Sequence, residues 1–126
     1  MSARILIVDD NATNLKLAAT VLELAGFEVA VAEDAERALE RIVAACPDLV
    51  LMDIALPGMD GLALTRMLRA DPRFGRLAIV ALSAFAMKTE VDQAVAAGCD
   101  GYLTKPIDTR QFAAQVANFL PTGERS

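Results

Sequence analysis

The sequence predicts an α/β fold: one parallel sheet of five strands with helices on both faces. Three observations predict it. Short apolar runs recur without hydrophobic–polar alternation, as expected of strands buried on both faces. The stretches between them carry apolar residues at helical i, i+3, i+4 spacing. Strand and helix alternate about five times within 126 residues, an order that makes a parallel sheet with right-handed helical crossovers.

The elements follow in order. Ile5-Leu6-Ile7-Val8 is the first strand. Leu15, Ala18, Ala19, Leu22 and Ala25 form one helical face, and Gly26 is its C-terminal stop. Phe27 to Val31 is a weaker strand. Ala35, Ala38, Leu39 and Ile42 give the second helix, ended by Pro47. Leu49-Val50-Leu51-Met52 is the third strand, and Leu64, Met67 and Leu68 mark a helix before Asp71-Pro72. Ala78 to Leu82 is the fourth strand, with Val91, Ala94 and Val95 helical before Gly98. Gly101 to Thr104 is a weak fifth strand. Phe112, Val116, Phe119 and Leu120 close the chain before Pro121. Residues 1–121 read as one domain without an output domain, and 122–126 as a frayed tail.

Composition narrows the chemistry. Twelve Lys and Arg against 17 Asp and Glu leave a net charge of −5, with no basic run to hold nucleic acid. There is no histidine, which excludes a Ser/His triad, a His-ligated zinc or haem, and a phosphohistidine carrier. Cys46 and Cys99 are far apart and in no CxxC pattern; they read as two small buried thiols of a reducing cytosol. No apolar run approaches the ~20 residues of a membrane span. A cytoplasmic protein without membrane insertion is expected.

In open α/β sheets, ligands bind beyond the carboxyl ends of the strands, near the topological switch point. Asp9 and Asp10 follow the first strand, Asp53 the third, Ser83 the fourth, and Lys105-Pro106 the fifth. Three carboxylates at one edge repel one another unless a cation offsets their charge. Mg²⁺ suits oxygen donors and binds through one or two carboxylates plus a phosphate. An aspartate is also a nucleophile toward phosphorus and forms an acyl phosphate. The residues thus supply an acceptor (Asp53), a metal site (Asp9, Asp10, Asp53) and two partners for phosphate oxygens (Ser83, Lys105).

The stretches ILIVDDN (5–11), LVLMDIALPGMDG (49–61), IVALSA (79–84) and GCDGYLTKPI (98–107) resemble a response-regulator receiver domain of two-component signalling. That family has a flavodoxin-like, chemotaxis-regulator-like fold. The finer likeness, carried by 83–88 and the Asn11/Asn14 pair, is to stand-alone single-domain regulators of the DivK type, which act in bacterial cell-cycle or cell-fate control. The resemblance implies that Asp53 is the phosphoacceptor. Asp10 is then the direct Mg²⁺ ligand, Asp9 a ligand largely through water, and the Ala55 carbonyl a third protein ligand. Ser83 resembles the switch hydroxyl, Lys105 the phosphate-binding lysine and Tyr102 the switch aromatic. Lys105-Pro106 stands where the family has a cis peptide. The resemblance implies a protein that changes its partner-binding face on phosphorylation and is no enzyme beyond Mg²⁺-assisted self-phosphorylation from a phosphodonor and slow self-dephosphorylation. A histidine kinase or histidine phosphotransfer protein is the implied donor. The implied output is a downstream protein bound through the fourth helix, fifth strand and fifth helix, roughly 86–97 and 101–120. Ala55 and Phe85, two past the acceptor and two past the switch hydroxyl, offer no polar group to orient water, so the phosphoryl group is expected to be long-lived.

Plainer readings compete for each residue. Asp9-Asp10 could be a helix N-cap and solvated acid, Ser83 a turn serine, Lys105 a surface lysine and Tyr102 an ordinary strand residue. Met52, Met59, Met67 and Met87 read as gap fillers. Arg66, Arg69, Arg73 and Arg76 read as a solvated face. Three other functions are open. A haloacid-dehalogenase-type phosphatase would need a DxD pattern where this chain has Asp9-Asp10-Asn11. A flavin or cobalamin binder on this fold lacks an aromatic pair and a histidine. A receiver cut from a hybrid histidine kinase remains the third.

Overall fold

The fold was obtained as a computed structural model, which describes residues 3–53, 61–75, 77–83, 88–104 and 109–120, with backbone alone at 83, 88–91 and 104. The elements run β1 (Arg4–Val8), α1 (Ala12–Leu24), β2 (Glu28–Ala32), α2 (Ala35–Ala44), β3 (Leu49–Asp53), α3 (Gly61–Ala70), a 3-10 turn (Pro72–Phe74), β4 (Ala78–Ser83), α4 (Lys88–Ala97), β5 (Gly101–Thr104) and α5 (Phe112–Ala117). The five strands form one parallel sheet in the order β2-β1-β3-β4-β5. The predicted fold class is the observed one.

Side chains alternate across each strand, and both faces are covered. Leu6, Val8, Val50, Met52, Ile79 and Ala81 face α2, α3 and α4, where Ala38, Ile42, Leu64, Leu68 and Ala94 meet them. Ile5, Ile7, Leu49, Leu51, Val80 and Leu82 face α1 and α5, where Leu15, Ala18, Leu22, Phe112 and Val116 meet them. This two-sided burial explains why β1, β3 and β4 are apolar runs. Each fully buried Leu, Ile or Phe here contributes about 1.5–3 kcal/mol. β2 lies at an edge and is only half covered, which is why its sequence signal was weak.

Two turns explain two glycines. Gly26 ends α1 with φ +100 and Gly98 follows α4 with φ +111, both in the left-handed region that a side chain disfavours. The second helix stops at Ala44, with Ala45 capping it in extended backbone, before Pro47 is reached.

The structure corrects three sequence expectations. Cys99 is buried but Cys46, just past the end of α2, is exposed as a residue with its thiol only partly covered. Met67 lies on the outer face of α3, 45% exposed, so it fills no gap; Met52 does, while Met59 and Met87 lie outside the described residues. Arg69 does not belong to a solvated face: its side chain is largely covered and bonded to two turns.

Candidate functional site

The strand order reverses direction between β1 and β3. At such a switch point the connections leave on opposite sides and open a crevice beyond the strand ends. Val8 pairs with Met52 in register, so Asp9 and Asp53, each next in its chain, stand side by side at that crevice. Asp9 is 2% exposed and Asp53 5% exposed, whereas Asp10 is open to solvent. One carboxylate oxygen from each of Asp9, Asp10 and Asp53 lies within 4.8 Å of the others. The continuous apolar run of each strand carries the first aspartate after it to the edge of the core, and that places these charges half inside the protein.

The donor set fits a hard divalent cation. All three donors are carboxylates, and Coulomb repulsion between charges this close at a partly buried edge amounts to several kcal/mol in a medium of intermediate dielectric, of order 3–4 kcal/mol per pair. Oxygens bound to one Mg²⁺ at about 2.1 Å stand no more than about 4.2 Å apart. A spread of up to 4.8 Å is close enough for the three carboxylates to share one such ion after small side-chain adjustment.

The helix-capping role that Asp9 and Asp10 could have had falls to Asn11. Its side chain accepts from the Asn14 backbone N–H at 3.0 Å and its backbone is extended, as an N-cap requires. The Asn11 N–H in turn donates to Asp9 Oδ1 at 2.9 Å, which fixes the Asp9 carboxylate in the crevice. Asn11 and Asn14, read in the sequence as a likeness to one group of regulators, are thus the two ends of this cap.

Asp53 pairs with Leu82, and Ser83 pairs with Thr104. The ends of β3, β4 and β5 are therefore neighbours at the same edge as the acids. Tyr102 sits on β5 opposite Ala81 and is 41% exposed. Ala55, Phe85, Lys105 and Pro106 lie outside the described residues. Neither cysteine belongs to the site. Burial pushes both thiols up, Cys46 aided by the nearby Asp48 charge, while Cys99 shares a weak contact with the Thr65 hydroxyl that pulls the other way. Both stay neutral near pH 7 and are poor nucleophiles.

At the opposite, N-terminal end of the sheet two further features appear. A cavity of about 400 Å³ is lined by Arg4, Leu6, Ala30, Arg41 and Ala44 among others; it touches none of the acids. Arg69, in the last turn of α3, donates to the carbonyls of Gly98 and Leu77 at 2.8 and 2.7 Å and to the Asp100 carboxylate at 2.8 Å. Its partners are as far as 31 residues away. No local pattern in the sequence marks contacts of that range.

Comparisons with known proteins follow the same lines. The model of the response regulator receiver domain matches residues 5–117. The polar-differentiation response regulator DivK of Brucella ovis is 34% identical over 120 residues, 95% of this chain and 98% of the relative. Among solved structures, the chemotaxis response regulator CheY4 of Vibrio cholerae superposes with a TM-score of 0.90 at 25% identity, covering 95% of this chain and 100% of that one. The signal receiver domain of a signal transduction histidine kinase from Syntrophus aciditrophicus does so with a TM-score of 0.88 at 27% identity, covering 99% and 95%.

Proposed function

We propose, from the premise that the chain belongs to the response regulator receiver domain family, that Asp53 is the residue whose phosphorylation throws its switch. The protein is a phosphorylation-dependent signalling switch of the DivK-like kind, and its family works with histidine kinases and downstream effectors. The observation that carries the Asp53 assignment is its place: a buried carboxylate at the end of the central strand, with oxygens of Asp9 and Asp10 within 4.8 Å.

In the proposed reaction an Asp53 carboxylate oxygen attacks the phosphorus of a partner's phosphohistidine. The new O–P bond forms as the P–N bond breaks, and the imidazole nitrogen keeps the electron pair. The donor histidine lies outside these 126 residues, which contain none. Asp9, Asp10 and Asp53, with the Ala55 carbonyl, are the groups that would hold Mg²⁺; when bound, the ion neutralises phosphate oxygens and the crowded acids. Asp9, fixed by the Asn11 N–H, keeps a charged oxygen in the crevice. Ser83 and Lys105 are assigned to the new phosphate oxygens by charge-assisted hydrogen bonds. The domain is assigned to 1–121, with output through α4, β5 and α5. No helix among the described residues is long and apolar enough to cross a membrane; the site of action is assigned to the cytoplasm, where the family's kinases act.

The reading is tested with acetyl phosphate and Mg²⁺. The wild-type chain should gain one phosphoryl group by mass, and Asp53→Asn, which keeps the shape but loses nucleophilicity, should gain none. Equal labelling of Asp53→Asn at another residue would refute the assignment.

A further inference from the structure

Arg69 holds two turns at once at the end of the sheet away from the acids. Its Nε donates to the Gly98 carbonyl, Nη1 to the Leu77 carbonyl, and Nη2 to Asp100 Oδ2 at 2.8 Å; longer contacts at 3.3 and 3.4 Å reach Phe74 and Gly75. The same Asp100 oxygen accepts from the Ile79 N–H at 2.8 Å, while the Asp100 N–H donates to the Ile79 carbonyl at 2.7 Å. Leu77 stands just before β4, and Gly98 and Asp100 just before β5. One planar guanidinium therefore ties the starts of β4 and β5 to the last turn of α3. Gly98 permits this closeness, since a Cβ there would stand 2.6 Å from the Arg69 side chain.

β5 needs such an anchor. It has four residues, it is an edge strand, and among the described residues it pairs with β4 alone. A short edge strand has few ladder bonds to hold its register, and a slip carries every side chain with it. Its far end, Thr104, pairs with Ser83 at the functional edge, and Lys105 follows in the chain. β5 runs directly on from Asp100 to Thr104 at about 3.3 Å per residue, so a displacement at its start shifts its end at the functional edge.

We propose that Arg69 is a positioning residue for phosphoryl transfer: by clamping the turns that open β4 and β5 it sets where the end of β5 stands relative to Asp53. The proposal rests on Asp53 being the acceptor. It separates two properties that a general loss of stability would lower together. The acids for the metal lie on or next to β1 and β3, which Arg69 does not touch, whereas the residues assigned to the phosphate follow from β4 and β5.

The experiment compares Arg69→Ala, Arg69→Lys and Asp100→Asn in the full chain, with folding at the assay temperature followed by circular dichroism. Mg²⁺ affinity is measured by calorimetry and the rate of phosphorylation by acetyl phosphate by mass. Arg69→Ala should bind Mg²⁺ as the wild type does, yet be phosphorylated about 10- to 100-fold more slowly, the scale expected of a displaced reacting group. Arg69→Lys should restore only part of the rate, since an ammonium cannot span both turns. Asp100→Asn, which can still accept from Ile79, should fall between. Should Arg69→Ala fail to fold, the other two variants decide. Folded variants with the wild-type rate overturn the proposal, as do variants whose Mg²⁺ affinity and rate fall in step. A wild-type chain that binds Mg²⁺ but takes no label overturns the acceptor assignment itself.

Discussion

Asp10 is the exposed member of the acid cluster, while Asp9 and Asp53 are almost fully covered. Removing its charge relieves repulsion without opening a cavity, because its side chain fills no core. Asp10→Ala should therefore melt higher than the wild type in chelator, by about 4 °C for each kcal/mol of repulsion relieved. Added Mg²⁺ should raise the wild-type melting temperature, as any ligand of the folded state does, and leave the variant unmoved. A thermal scan of both proteins with and without Mg²⁺ decides; a variant that melts lower in chelator would show that Asp10 has a structural role. Arg69 makes the complementary case: its charge is compensated by Asp100 and four carbonyls, and removing it takes one donor from each of them.

At the scale of elements, α1 shows how a cap and a functional acid share one turn. Asn11 caps the helix through its side chain and holds Asp9 through its backbone N–H. Substituting the side chain alone separates the two. Asn11→Ala should cost about 1 kcal/mol of stability, read as a lower urea midpoint with unchanged slope, and Mg²⁺ affinity should stay near that of the wild type. A large loss of Mg²⁺ affinity would mean that the Asn11 side chain, and not its backbone, orders the acids. The 3-10 turn after α3 is capped in the same way: Asp71 accepts from the Arg73 backbone and guanidinium, which holds the Asp71 carboxyl below its usual range.

At the scale of the whole molecule, the question is how an event at the end of β3 reaches a distant face. Asp53 neighbours β4 through Leu82, and β4 carries Ser83 beside β5. Moving a two-state equilibrium from 1:99 to 99:1 takes about 5.5 kcal/mol. In the proposed switch, hydrogen bonds from Ser83 and Lys105 to a phosphate, at roughly 1.5–3 kcal/mol each, would supply part of it, and a bound partner the rest. Tyr102 reports on this directly, since the chain has one tyrosine and no tryptophan. Phosphorylation should change its near-ultraviolet circular dichroism and emission as the ring leaves its exposed position. Ser83→Ala should still be phosphorylated but lose most of that change. An undiminished Tyr102 signal in phosphorylated Ser83→Ala would break the proposed link.

The fold class and the acid cluster were both legible in the amino-acid pattern. Short continuous apolar runs alternating with helical segments fit strands buried on both faces, and the residue after such a run emerges at the sheet edge; Asp9, Asp10 and Asp53 were legible for that reason. Periodicity also placed Leu15, Ala18 and Leu22 inward. Tertiary structure alone decided which strands are neighbours, because β2-β1-β3-β4-β5 is not chain order and local pattern does not specify pairing. It decided that Asn11, and not the aspartates, caps α1, since a cap depends on backbone angles that neighbouring candidates share. It decided the fate of Cys46, Met67 and Arg69, whose surroundings come from other layers. Arg69 is the clearest instance: an arginine in a polar stretch reads as solvated until the fold brings Leu77, Gly98 and Asp100 around it, and that closure is a property of the packed chain, absent from any window of its sequence.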